Sequence, residues 1–589
     1  MRCKPLADFN WMPRRQHYVP GLIRRGGVMV KQRKNIVSLK FIFSLLMICT
    51  AMAFVCPAAY ALYTGDPRLE VWGYVQNESA WHYTSDPGLK NIFKYKTVAP
   101  GLGNFGHPAA FLINRLSRQN IVKNRDSLMM FENSFNLKML YKVLDCPNQK
   151  LSVFGRIYTL VDSVYDLTND IGWRAGGLPG ARRGAGNPGH YYRNDMHWRT
   201  AKRIPREFYV DYNIPQMDLR IGKQMIVWGE IDGFRLLDLV NPFDLREFIL
   251  DDYEDSRIPQ WSVDLKWRFL ENKPDQYLEF VWIPDFEANQ IMKEGSQWEV
   301  DELNVYYAGN RTFKYVDQYN LFGPGYHYKN IYKEPASTIK NSNYGVRYGG
   351  VKQMPGGALS YTLSYLYTWD YSWAPFVKGW YMPGVGNVNS HHAIPGITDL
   401  FLLAPTTIER KYSRIHVFGA TFNKVIGKWA FRGEGALSLH KYVAVNPLTG
   451  GKSSQSMEKK KNTLDYCLGF DRTVYTDWFL SGQIIQNIVL EAPGHMVKGL
   501  SLKERKALDT HFTFVVSKPF KRFNDQVGIS ALIAYGTVGE WWMAPKIWWE
   551  VTQNIKASLG AQIFLGQSYD TLGQFNRNSN IYTMLKYSF

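Results

Sequence analysis

Residues Val263-Asp264-Leu265-Lys266-Trp267-Arg268-Phe269 alternate apolar and charged side chains without a break. A strand points successive side chains to opposite faces, so this run has one apolar face and one charged face. The same period runs through 359–369, where Leu359, Tyr361, Leu363, Tyr365, Tyr367 and Trp369 share a face. It returns at 415–422, 429–439, 527–535, 555–565 and 581–589. A membrane helix needs about 18 or more consecutive apolar residues. The longest such run, Phe41 to Val55, is too short.

Loop lengths separate a soluble sandwich from a barrel. Eighteen strands are expected, near 69–82, 127–143, 150–165, 205–213, 216–228, 259–270, 276–284, 341–350, 357–370, 411–423, 427–440, 461–472, 476–488, 507–517, 525–536, 541–552, 555–567 and 578–589. Every second connection is short, as at Ile214-Pro215, Asn423–Gly427 and Gln553-Asn554. The intervening ones are mostly long, for example 83–126, 166–204, 229–258, 285–340 and 371–410. Alternating short turns and long loops mark an antiparallel up-and-down transmembrane β-barrel, here of about 16–18 strands with both ends on the periplasmic side. Ile581, Thr583, Leu585, Tyr587 and Phe589 alternate to a terminal aromatic. That ending resembles the closing strand read by the bacterial barrel-assembly machinery. Trp541, Trp542, Trp548 and Trp549 are expected in an interfacial girdle.

The N-terminal region points to export. Lys31, Arg33, Lys34 and Lys40 precede the apolar stretch, and Ala59-Tyr60-Ala61 follows it. Together they read as a signal peptide cleaved after Ala61, with Met29 the natural start and 62–589 the barrel. Cys56 follows Val55, too bulky for the residue before a lipidated cysteine. Residues 1–61 hold ten Lys/Arg and one Asp, so the remainder carries 60 cations against 50 anions, or +10 instead of +19. Two cysteines remain, Cys146 and Cys467, which excludes a disulfide scaffold and a cysteine metal cluster. An exported chain with mixed charges is not expected to bind nucleic acid.

With the apolar face to lipid, the alternate polar residues face a lumen. Its cations, among them Lys138, Arg156, Arg220, Lys266, Arg268, Arg347 and Arg432, nearly balance its anions, among them Glu207, Asp211, Asp218, Asp264, Glu279 and Glu434. An anion-selective pore is therefore not expected. The positive excess falls in loops 166–204 and 441–461, placed to meet membrane lipid and lipopolysaccharide phosphates.

Residues 229–258 break the strand pattern. Glu230, Asp232, Asp238, Asp244, Glu247, Asp251, Asp252, Glu254 and Asp255 outnumber Arg235, Arg246 and Arg257, and apolar residues are too dense for an exposed loop. Asn241-Pro242 followed by Asp244 reads as a helix start, so two short helices are expected near 232–240 and 242–250. Their apolar surface calls for burial in the lumen, as a plug or constriction. The segment's carboxylates are expected against lumen cations such as Arg220, Lys266 and Arg268, and Trp228 is counted with the constriction residues. The acidic run lacks the spacing of a calcium loop, and His391-His392 are adjacent on a loop; no metal or cofactor is expected.

Ile221 to Glu230, Asp238 to Glu247, Asp251 to Pro259 and Trp282-Ile283-Pro284-Asp285-Phe286-Glu287 resemble the domain-of-unknown-function family numbered 1302, sharply over 205–290 and more loosely elsewhere. The resemblance implies an outer-membrane barrel working with a periplasmic partner protein and an inner-membrane transporter of the resistance-nodulation-division type. It implies movement of hydrophobic compounds or lipids, and supplies no catalytic residues. The expectation is a channel or transporter for small solutes, hydrophobic or lipid-like ones included, and not an enzyme. The alternatives are a polysaccharide-export pore, a structural barrel and a lipase-like outer-membrane enzyme.

Overall fold

The computed structural model describes residues 65–82, 128–164, 200, 203–231, 236–248, 252–270, 273–291, 298, 327, 329–382, 386–388, 404–444, 458–475, 477–492, 507–566 and 571–589. The expected leader and His391-His392 lie outside them. So do most of loop 166–204 and residues 445–457 of loop 441–461.

Eighteen strands form one sheet. The first eight in chain order are β1 (Leu69–His82), β2 (Leu128–Cys146), β3 (Gln149–Asp162), β4 (Glu207–Ile214), β5 (Met217–Gln224), β7 (Gln260–Trp267), β8 (Tyr277–Ile283) and β11 (Asn343–Met354). The next five are β12 (Gly357–Trp369), β16 (Arg414–Ile426), β17 (Trp429–Ala444), β18 (Glu458–Val474) and β19 (Trp478–Val489). The last five are β20 (Leu508–Pro519), β21 (Val527–Gly536), β22 (Glu540–Glu550), β23 (Ile555–Leu565) and β24 (Asn580–Ser588). Each pairs antiparallel with its chain neighbours, and β1 pairs with both β2 and β24, closing the ring. Closure leaves no unpaired edge. All eighteen expected strands are present, with ends shifted by a few residues. The alternation of connections has one exception, the three-residue turn 537–539 between β21 and β22.

The wall is apolar outside. Leu363, Phe418, Leu468, Ile547 and Leu559 are 48–56% exposed, spread over β12, β16, β18, β22 and β23. So much exposed apolar surface in one band suits lipid, not water. Along β22 the tryptophans alternate, so only half of the expected girdle forms. Trp541 and Trp549 face out, whereas Trp542 is buried and Trp548 lies inside under Lys556.

Short elements occupy the long connections. In the β5–β7 connection lie β6 (Asp244–Leu245) and the four-residue helix α1 (Tyr253–Ser256). Strand β6 pairs in parallel with β9 (Gln290–Ile291). A separate four-stranded sheet contains β10 (Lys329–Lys333), β13 (Ala374–Met382), β14 (Gly386–Val388) and β15 (Ala404–Lys411).

Candidate lumenal site

The β5–β7 connection is clasped at its neck. Ile226 N–H donates to Asn241 Oδ1 at 2.7 Å, and Asn241 Nδ2 donates to the Ile258 carbonyl at 3.1 Å. Asn241 is therefore a clasp and not a helix cap, and Phe243 bridges to Arg257 in extended conformation. The two expected helices are absent among the described residues 236–248. Pairing with Gln290–Ile291 satisfies this backbone from outside the segment, which a helix would have done internally.

Two lobes leave the clasp in opposite directions. The first, 226–240, packs Ile226, Trp228, Leu237 and Val240 against Val281, Leu366, Ile415, Val417 and Ala436, on β8, β12, β16 and β17. Ile231 and Leu236 reach Cys467 of β18 and Ile485 of β19. The Glu434 carboxylate accepts the Glu230 N–H at 2.7 Å and the Leu237 N–H at 2.5 Å. Glycines make room for the lobe: a Cβ at Gly419 would lie 2.3 Å from Leu237, and one at Gly345 2.5 Å from Trp228.

The second lobe, 243–257, meets the other arc of the ring. The Phe248 ring lies 4.3 Å from that of Phe575, tilted against it, and 6.1 Å from that of Phe564 of β23. Asp255 pairs with Arg156 of β3 and accepts from Tyr74 Oη of β1 at 2.5 Å. Glu254 accepts from Arg156 at 3.0 Å and from Lys138 of β2 at 2.8 Å. Arg206 donates to the Arg257 carbonyl at 2.6 Å. Strands β3 and β18 stand on opposite sides of the ring, so the contacts of one connection span its interior.

The acidic run does not meet the cations expected for it. Arg220 is held by Asp211 of β4 at 2.6 Å and stacks 4.1 Å over Tyr209. Arg268 pairs with Asp218, and Lys266 lies 4.0 Å over the Tyr277 ring. Strand register puts complementary groups side by side within the wall, as in Arg220 opposite both Asp211 and Asp264, so these cations are engaged there. Trp228 donates to Glu279 at 2.8 Å, and Arg347 both pairs with Glu279 and covers the Trp228 ring. Within the segment, Arg257 pairs with Asp238 at 2.7 Å and Arg246 with Asp244 at 2.5 Å. Glu230 accepts from Thr421 at 3.3 Å, and Asp252 is exposed at the start of α1. Arg235 and Asp251 lie outside the described residues.

Arg156, Lys138, Tyr74, Arg206 and Glu434 are the anchors that sequence reading did not assign to the segment. The alternation marked Arg156, Lys138 and Glu434 as inward, but their partners are remote: Leu237 and Glu434 stand 197 residues apart. The fold also gathers Glu132, Asp162 and Glu247, all buried, with one carboxylate oxygen of each within 4.8 Å of the others. Such oxygens are the donors that hard cations take.

The family described as protein of unknown function (DUF1302) matches residues 125–589. The chain belongs to this family. No curated protein matches this DUF1302 barrel. Among solved structures it is similar to OccAB4 of Acinetobacter baumannii, at 8% identity and TM-score 0.40, over 89% of this chain and 98% of that one. It is likewise similar to a BenF-like porin from Pseudomonas fluorescens Pf-5, at 7% identity and TM-score 0.38, over 89% and 98%. A third is Pseudomonas aeruginosa OccK2 (OpdF) in complex with glucuronate, at 7% identity and TM-score 0.40, over 88% and 96%.

Proposed function

We propose that this DUF1302 protein is an outer-membrane channel for small solutes, hydrophobic or lipid-like ones among them, with the β5–β7 connection as its plug. The observation that carries the reading is the span of that connection, from Arg156 of β3 to Cys467 of β18. A segment held to both arcs of a closed ring obstructs the passage through it, and its release opens that passage. Release uncovers the apolar cluster of Phe248 with Trp542, Phe564 and Phe575, which favours solutes with apolar surface. The periplasmic partner and inner-membrane transporter implied by the family resemblance would supply or receive the cargo.

A polysaccharide-export pore calls for a continuous cationic wall, whereas Arg220, Arg268, Arg347 and Arg432 each meet a wall carboxylate. A lipase-like site calls for a nucleophile beside a histidine. His416 instead meets Tyr365 Oη at 2.9 Å, and His511 meets Glu540 at 3.0 Å.

The test is deletion of 232–256 with a short glycine linker, followed by planar-bilayer recording of the purified barrel. Strands β5 and β7 still pair, so the barrel assembles, and conductance and uptake of bulky antibiotics rise. An assembled deletion barrel with parental permeability refutes the plug.

A further inference from the structure

Beyond the passage itself, the outward face carries a feature at its long-loop end. Tyr344, Tyr367 and His416 share one row across β11, β12 and β16. Just past them, Arg414 lies 4.1 Å over the Tyr367 ring and 5.0 Å from that of Trp369. Three residues earlier, Lys411 ends β15 and sits 5.0 Å over Phe376 of β13. Phe376 meets Tyr442 of β17 edge-on at 5.3 Å, and Lys460 of β18 covers Tyr442 from 5.3 Å. Lys333 and Lys378 complete the group, their side chains 52% and 45% exposed. Among the described residues, three of these lysines bracket the Glu409 carboxylate, Lys333 at 2.9 Å, Lys411 at 3.1 Å and Lys378 at 3.8 Å. The Lys333 hydrogen bond, opposed by burial, holds Glu409 below the usual carboxylate range, so it stays charged and offsets one of these lysines.

Depth argues for the partner. Leu363 is the midpoint of β12 and pairs with Ala420 of β16, six residues before Arg414 in the direction of the long loops. Six residues of strand rise about 20 Å, which a tilt of roughly 45° reduces to about 14 Å along the membrane normal. Half of a roughly 25 Å apolar band is about 12 Å, so Arg414 lies at the head-group level, with Lys411 three residues from it. Aromatic rings under the cations supply the apolar floor that acyl chains meet.

We propose that Arg414, Lys411, Lys460, Lys378 and Lys333 form a binding shelf for the phosphorylated head group of an outer-leaflet glycolipid. It rests on the reading of the barrel as an outer-membrane protein, and heat-modifiable migration together with insertion into vesicles tests that reading separately. The probe is diphosphorylated lipid A, presented in nanodiscs to the full barrel, with bound lipid counted by native mass spectrometry. The variant is the triple change Lys378→Gln, Lys411→Gln, Lys460→Gln; Lys424→Gln at the short-turn end is the control. The parent and the control retain lipid A, and the triple variant binds at least tenfold more weakly. Dephosphorylated lipid A binds the parent as weakly as the triple variant binds lipid A, and millimolar pyrophosphate fails to displace the lipid. Equal retention by the parent and a correctly assembled triple variant overturns the proposal. So does equal binding of dephosphorylated lipid, and so does displacement by pyrophosphate, which would mark a site for free anions.

Discussion

Replacing Arg156 with methionine keeps an aliphatic stem and removes the charge that holds the second lobe. The Arg156 side chain is fully buried and meets Glu207 at 3.2 Å, Glu254 at 3.0 Å and Asp255. Glu207 belongs to β4 and stays with the wall, so its pairing does not tether the segment. The Glu254 side chain is 54% exposed, and solvent screening leaves its pairing worth at most about 1 kcal/mol. Asp255, 11% exposed, is the tether. Breaking a buried pair costs about 3–5 kcal/mol, and the lower end applies because Tyr74 still donates to Asp255. At about 1.4 kcal/mol per factor of ten, a loss of about 3 kcal/mol raises the released population roughly 100-fold. Single-channel recording reads that change as open probability, with heat-modifiable migration confirming a closed barrel. Lys138→Met, which removes only the exposed Glu254 pairing, changes open probability by less than about fivefold. A heat-modifiable Arg156→Met barrel with parental open probability refutes the tether and the energies assigned to it.

Three further outcomes are expected. Gly419→Val places its Cβ within 2.3 Å of Leu237, an overpacking of about 1–3 kcal/mol that displaces the first lobe, read as a rise of about tenfold in open probability. Leu363→Arg points a charge at lipid and destabilises the barrel by roughly 2–4 kcal/mol near the bilayer middle, whereas the inward neighbour Ser364→Ala unfolds in urea like the parent. Removing Phe589 deletes two hydrogen bonds to Gly73, at 2.9 Å and 3.0 Å, and weakens the β24–β1 seam. Outer-membrane yield then falls, and parental yield would refute that role of the terminal residue.

The strands were legible because a lipid-facing wall imposes period two on each one locally, as in Val263 to Phe269. The lumenal connection was legible only as an anomaly. Its acids and apolar residues read as amphipathic helices because nothing local reveals that Gln290–Ile291 will pair with Asp244–Leu245 or that Glu434 will accept the Leu237 N–H. Arg220 and Arg268 look like ready partners for an acidic run until strand register places Asp211 and Asp218 beside them. Trp542 and Trp548 misled in another way: a pair of adjacent tryptophans on a strand has one member on each face, so composition alone overstates a girdle.

The clasped connection also constrains the order of assembly. It leaves β5 and returns at β7, early in the chain, yet its anchors include Glu434, Cys467, Phe564 and Phe575, all far later. Until those strands arrive, Ile231, Leu236 and Phe248 have nowhere dry to go. Once β24 pairs with β1, a lobe still outside reaches its seat only through the open end of the ring. Made early and seated late, the connection waits for a resting place that only the later strands build.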